Sequence, residues 1–462
     1  MVRKITSNSV MVAAILIIIF AQISLFPQVS LRNKIGQMVM VGFDGTALSD
    51  SLSYDLSHRN LGGVMYLESN ISNPSQVAAL SAKIKLAAST IPFISTDQEG
   101  GKVARLNSDN GFADSYTALQ LGTLFNSEDS TRKTAAEFAQ WLSLTGINMN
   151  LAPVTDVNVN PSSPAIGRYQ RSFSAIPAQV AKHAGFFIDE MHRKNVLATV
   201  KHFPGHGSAL QDSHLGFTDI TNTWADSELV PYKVLFASGY SDFVMIGHLF
   251  NKRLDTLYPA TLSYNVITGL LRKNLGYNSV VITDDMLMKA ISNNYSFDKA
   301  IELSINAGVD ILLYATNMQN NKSITGQVID IIESKVKAGV IPESRINESY
   351  TRIMELKNRL INPNWIAQHK NNKLAAPNFT LESYPNPFNP TTVIKVKLGV
   401  STYVRIKIYD VTGRIVEELA RGNMAAGEYK YTFSGNNLAS GIYFVRMETP
   451  DIAISKKIAL IK

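Results

Sequence analysis

Carboxylates and imidazoles in this 462-residue chain gather at the ends of short apolar runs. Asp97 closes one run and is followed by Gln98-Glu99-Gly100-Gly101, with Lys102 and Arg105 just beyond. Asp156 ends Ala152-Pro153-Val154-Thr155-Asp156, and Lys201 and His202 open the stretch Lys201-His-Phe-Pro-Gly-His-Gly207. His248 follows Gly247, and Asp284-Asp285 follows Thr283. Another histidine, His214, stands two residues after Asp212 in a segment carrying Gly205, Gly207 and Gly216. These types can run covalent catalysis. An aspartate can attack an electrophilic carbon, and an imidazole can protonate a departing oxygen and then deprotonate water. Asp212 can accept a proton from the other ring nitrogen of His214 and support the charged ring.

Each residue has a plainer use as well. Asp284 and Asp285 point different ways and compete for the nucleophile's place, or both cap the following helix. Asp97, Arg105, Arg171, Lys201 and His202 can bind hydroxyl groups, or pair with one another along a rim. His206 and His248 either line the same pocket or pack beside Asp284. A metal site is not expected. His202 and His206 are four apart in a Pro-Gly turn instead of on a helix, which is the wrong geometry for a zinc pair. No cofactor is implied, and no glycine-rich phosphate loop opens a helix after the first strand.

The elements that must position these residues follow from periodicity. Strand candidates are Gln37–Phe43, Gly63–Leu67, Pro92–Asp97, Ile147–Pro153, Ala198–His202, Phe243–His248, Ser279–Thr283 and Val309–Tyr314. Helix-length segments lie between most pairs, among them Pro74–Ala88, Thr131–Thr145, Pro177–Lys194 and Ser263–Lys273. Nearly all-apolar strands alternating with helices predict an α/β fold with a parallel sheet, here a (β/α)8 barrel of the TIM type over residues 29–361. Active sites of such barrels lie at the C-terminal ends of the strands, where the acids and histidines fall.

Composition narrows the classes. With no cysteine, the chain has no disulfide framework, thiolate metal site or catalytic thiol. The net charge of +7 sits at the two ends, so the body has no excess charge to draw it to nucleic acid. Arg3 and Lys4 precede the apolar run Val10–Phe20, the pattern of a signal peptide over residues 1–22, with an uncleaved anchor as the alternative. The run is too short for a stable membrane span. Residues 362–383 read as a polar linker. Beyond it, Val404, Ile406 and Ile408 alternate with polar residues, and Gly turns separate further runs, predicting a small all-β immunoglobulin-like sandwich over residues 384–462.

This last segment resembles the type A sorting domain of the type IX secretion system, through YPNPFNPTT (384–392), IKIYDVTGRIV (406–416), LASGIYFVRM (438–447) and SKKIALIK (455–462). The resemblance implies the secretion machinery as a partner and a secreted or cell-surface location. An accessory immunoglobulin-like or carbohydrate-binding module is the alternative. The body resembles glycoside hydrolase family 3, and within it the single-barrel β-N-acetylglucosaminidase branch. The matching pieces are VGFDG, STDQEGGKVARL, NLAPVTDVN, RSFS, KHFPGHG, DSH and VITDDM, in that order. That resemblance implies Asp284 as nucleophile, His214 as acid/base oriented by Asp212, and Asp97, Arg105, Arg171, Lys201 and His202 as sugar-binding residues. One departure stands out. Relatives have a compact Ile-Gly-x-Arg-Ser-Phe where this chain has Ile166-Gly-Arg-Tyr-Gln-Arg171-Ser-Phe173, so Arg168 competes with Arg171, which directly precedes Ser-Phe.

The activity so implied is that of a retaining exo-β-N-acetylhexosaminidase acting on chitin-type or peptidoglycan-derived oligosaccharides through a glycosyl-aspartate. Because imidazole does not repel an anion as a carboxylate would, a phosphorylase of the same specificity is one alternative. A disabled, secreted glycan-binding protein is another.

Overall fold

A computed structural model of the chain describes residues 29–361, 380–398, 402–449 and 453–462. The expected signal peptide and most of the expected linker lie outside the described residues. In the body, the eight expected apolar runs each coincide with a strand, though not to the residue: β1 (Val39–Gly42), β2 (Gly63–Tyr66), β3 (Phe93–Thr96), β4 (Met149–Asn150), β5 (Leu197–Phe203), β6 (Phe243–Ile246), β7 (Val280–Thr283) and β8 (Leu312–Tyr314). All are buried along their length, as strands covered on both faces must be. They form one parallel sheet in the order β7-β6-β5-β4-β3-β2-β1-β8. The sheet curls until β7 and the residues leading into β8 meet, bridged at Ile282 and Ile311. The result is a barrel-like parallel sheet.

Side chains help fasten that seam. The Asp310 carboxylate accepts from the Val281 N–H (2.9 Å), and the Thr283 hydroxyl from the Leu313 N–H (3.0 Å). Asp310 also gathers Arg272 (2.7 Å), Arg345 (2.9 Å) and Arg352 (3.1 Å), which hold its carboxyl at about 2 against the opposing effect of burial.

Helices cover the outside. They include α1 (Leu31–Gln37), α2 (Asp50–His58), α3 (Pro74–Ala87), α4 (Glu128–Leu144) and α5 (Pro177–Arg193), followed by α6 (Val230–Ala237), α7 (Phe297–Ala307), α8 (Ile324–Lys337) and α9 (Glu343–Ile361). α5 shows why they dock: Val180, Ala184, Phe187, Ile188 and Met191 recur at helical spacing and are all buried. Each large apolar side chain so covered contributes about 1.5–3 kcal/mol. The segment expected as an ordinary helix from Ser263 is a π-helix over Asn265–Asn274, one residue wider per hydrogen-bonded ring. β4 is shorter than its apolar run because the side chain of Asn150 takes over the pairing, bonding the N–H and C=O of Gln98 (3.1 and 3.0 Å).

The C-terminal region is all-β. β9 (Thr380–Tyr384), β10 (Thr391–Leu398) and β13 (Gly427–Ser434) form one antiparallel sheet. β11 (Thr402–Asp410), β12 (Ile415–Met424), β14 (Gly441–Glu448) and β15 (Ala453–Leu460) form the other, in the order β12-β11-β14-β15. The two share a core that includes Ile394, Val396, Val404, Ile406, Ile408, Phe433 and Val445. β9 takes in Thr380–Ser383, residues that read as linker, because buried Leu381 pairs opposite Val396 and extends the apolar face. No helix among the described residues is long and apolar enough to cross a membrane.

Candidate active site

One rim of the sheet carries the polar residues because they fall at or just beyond the C-terminal ends of the strands. Asp97 directly follows β3, Lys201 and His202 lie within the last part of β5, His248 comes two residues after β6, and Asp284 follows β7. Asp97, Arg105, Arg171, Lys201, His202, Asp212, His214 and Asp284 all line one cavity of about 400 Å3. Asp285, Lys102, Tyr169 and Met288 line it too.

One wall is a closed set of ion pairs. Lys201 Nζ lies 2.6 Å from Asp97 Oδ1 and 2.7 Å from Glu99 Oε1. Arg171 grips Glu99 with two parallel bonds, Nε to Oε2 and NH2 to Oε1, each 2.8 Å. Arg105 lies 3.6 Å from Asp97 Oδ2. Burial would raise the Glu99 pKa, but Arg171 and Lys201 outweigh it and hold the carboxyl far below the usual range. Burial likewise works against the charge on Lys201, and Asp97 and Glu99 more than restore it. Glu99 reaches this position because Gly100 and Gly101 take left-handed backbone (φ 104° and 58°) and turn the chain into a short hairpin. A Cβ at Gly100 would lie 2.5 Å from the Tyr116 carbonyl oxygen.

Next to this wall, His202 is fixed by Asp156. Its Nδ1 lies 2.8 Å from Asp156 Oδ2 and its N–H donates to Oδ1 (3.1 Å). The other ring nitrogen is left facing Arg171, 3.4 Å away.

Asp284 follows β7, four strands along the sheet from β3. Burial pushes its pKa up, but His202, His248, His214 and the N–H of Asp285 outweigh it and hold the carboxyl at about 2. It is therefore an anion at any ordinary pH. Its neighbour is engaged elsewhere: Asp285 Oδ1 accepts from the N–H groups of Leu287 (3.0 Å) and Ala315 (3.1 Å), tying β7 to the chain beyond β8. Burial and the adjacent Asp284 charge push the Asp285 pKa up. His248 bridges the Thr261 hydroxyl (2.7 Å) and the Asp285 carbonyl oxygen (2.9 Å), with its pKa lowered by burial.

The remaining pair hangs over the cavity. Asp212 Oδ1 takes both the N–H of His214 (3.0 Å) and its Nδ1 (2.7 Å), so Nε2 is the ring nitrogen that the pair does not use. The two form a local unit within three consecutive residues.

Residues 30–356 match the family described as "Glycosyl hydrolase family 3 N terminal domain". The chain belongs to glycosyl hydrolase family 3. Residues 382–462 match the "Secretion system C-terminal sorting domain". The family 3 chain is 32% identical over 340 residues to the beta-hexosaminidase A of Pseudoalteromonas piscicida, covering 68% of itself and 56% of that protein. It is 34% identical over 286 residues to the beta-hexosaminidase of Tolumonas auensis, covering 60% of itself and 83% of that protein. Among solved structures it resembles a family 3 β-N-acetylglucosaminidase from a Paenibacillus species, with a TM-score of 0.67 and 34% identity over 72% of this chain and 63% of that one. It also resembles the β-N-acetylhexosaminidase of Beutenbergia cavernae, with a TM-score of 0.66 and 27% identity over 72% of this chain and 99% of that one.

Within this family 3 site, the eight residues given a catalytic or sugar-binding role from the sequence all line the shared cavity, whereas His206 and His248, whose place was left open, do not. Arg171 faces it, while Arg168 is exposed and does not line it. Glu99, Asp156 and Tyr169 went unassigned in the sequence reading. Glu99 and Asp156 work through partners far along the chain, which no local pattern marks. Tyr169 had a signal, since it is one of the two extra residues after Gly167. Its ring lies 5.9 Å from Lys102 Nζ at the cavity edge. Among the described residues, no cluster of three or more histidines and carboxylates is placed to hold a metal ion.

Proposed function

We propose that the chain is a retaining exo-β-N-acetylhexosaminidase, removing terminal β-linked N-acetylglucosamine from chitin-type or peptidoglycan-derived oligosaccharides. Asp284 attacks the anomeric carbon while the bond to the leaving oxygen breaks, and His214 gives that oxygen its proton. His214 then takes a proton from water, whose oxygen displaces Asp284 and releases the sugar with its configuration retained. Asp212 orients His214 and steadies its charged form. Asp97 keeps lone pairs for vicinal hydroxyls beside its bonds to Lys201 and Arg105, and Lys201, Arg171, Arg105 and His202 donate to sugar oxygens. The observation that carries this reading is the meeting in one cavity of an aspartate at the tip of β7 and an Asp–His unit from a separate loop.

Around this core we infer a (β/α)8 hydrolase domain over residues 29–361, and an immunoglobulin-like sorting domain that begins with β9. We also infer export through the type IX machinery to the surface or beyond. The names of the relatives support the specificity, and the sorting-domain match supports export.

The test is hydrolysis of chromogenic glycosides with and without inorganic phosphate. Faster turnover of the N-acetylglucosaminide than of the glucoside, giving free sugar in both buffers, is expected. Glucoside preference moves the protein to another specificity. Glycosyl-1-phosphate as main product makes it a phosphorylase, and no turnover leaves a glycan-binding protein.

A further inference from the structure

Asp212 and His214 sit on a stretch that gives them little cover. Leu210 and Leu215 are 67% and 73% exposed, and the His214 side chain is 59% exposed. Ser213, between the two dyad residues, is 1% exposed. A small polar side chain turned inward from an outward-facing loop needs a partner. That partner is His206, whose Nε2 lies 3.2 Å from Ser213 Oγ.

His206 is itself immobilised. It is 2% exposed, and its N–H donates to Asp156 Oδ1 (2.7 Å), a carboxylate that also fixes His202. The N–H of Gly207 donates to Glu228 Oε2 (3.1 Å). The turn is also wedged against its neighbours, since a Cβ on Gly207 would lie 1.7 Å from the Val157 carbonyl oxygen. Burial first, and then the charge of His202, push the His206 pKa down to about 4, so the ring is neutral near pH 7. Its Nδ1 has no hydrogen-bond partner among the described residues, so the bond to Ser213 is the ring's tie. The network that holds His202 thus reaches the residue between Asp212 and His214 through a side-chain contact at Ser213.

We propose that the His206–Ser213 hydrogen bond is the pin that sets the Asp212–His214 unit over Asp284, making both positioning residues for proton transfer to the leaving oxygen. The proposal rests on His214 being the acid/base. Removing the pin harms a leaving group that needs a proton and spares one that does not. Ser213→Ala is small and leaves no charge unpaired, so it keeps the fold.

The experiment measures kcat/KM, which reports the step that breaks the glycosidic bond, for chitobiose and for 2,4-dinitrophenyl N-acetylglucosaminide. Ser213→Ala is expected to lower it about tenfold or more on chitobiose and no more than about twofold on the dinitrophenyl substrate. In a His214→Ala background, Ser213→Ala is expected to cost nothing further on chitobiose, since the two act as one unit. Equal losses on both substrates, no loss on either, or a full additional loss in the His214→Ala background overturns the pin. A wild-type protein that cleaves neither substrate instead overturns the hexosaminidase reading, and the pin with it.

Discussion

The two sides of the cavity are built in opposite ways. The wall of Asp97, Glu99, Arg171 and Lys201 is a buried lattice in which Glu99 answers two cations and Lys201 answers two carboxylates. The His214 ring is exposed, and its partner Asp212 lies only two residues away on the same loop. In the proposed function this wall recognises a fixed pattern of hydroxyls and gains from rigidity, since its donors need no rearrangement on binding. A group that must first give and then take a proton can sit on a loop, provided something sets its height. Removing a member of the wall should therefore unsettle the fold, whereas removing the loop's imidazole should not.

The largest expected effect falls on the residue both sides serve. Asp284→Ala should lower kcat by about 10^4-fold or more while leaving the urea-unfolding midpoint near that of the wild type. Turnover within tenfold of wild type would remove Asp284 from the nucleophile's role. Second is Glu99→Gln, which leaves Arg171 and Lys201 buried with less counter-charge. Unfolding stability at pH 7 should drop by about 3–5 kcal/mol, against less than about 0.5 kcal/mol for His214→Ala. Equal drops in the two variants would erase the contrast between wall and loop.

The smallest effect concerns Glu228, under the turn that joins the two sides. Burial pushes its pKa up to about 7 from an ordinary value of 4.5. Between those values the unfolded chain has released the proton and the folded one keeps it, so this group takes stability away as pH rises through that window. Glu228→Gln keeps an acceptor for the Gly207 N–H and removes the titration. The loss of unfolding free energy between pH 5 and pH 8 should shrink by about 1–3 kcal/mol in this variant. An unchanged slope would mean that Glu228 is not the group responsible.

The fold was legible because parallel strands buried on both faces must be apolar along their length. That is why Val280–Thr283 and Leu197–Phe203 stand out from their surroundings. The same logic located Asp97, Lys201, His202 and Asp284, since a polar residue that ends such a run has to lie at a strand's tip. Contacts between distant segments left no such trace. Glu99 meets Arg171 across 72 positions and Asp156 meets His202 across 46, and neither spacing has a period. Ser213 was visible as the middle of Asp-Ser-His, but its inward turn depends on His206 being immobilised first.

The seam between β7 and β8 carries a consequence for how the barrel is cut to size. Asp310, Thr283 and Asp285 each give a side-chain oxygen to a main-chain N–H there, at Val281, Leu313 and Ala315. The width of that gap is thus spaced partly by carboxylate and hydroxyl reach. Asp285, beside the proposed nucleophile, serves as a spacer there, and trimming it to alanine would remove the reach that ties the end of β7 to Ala315.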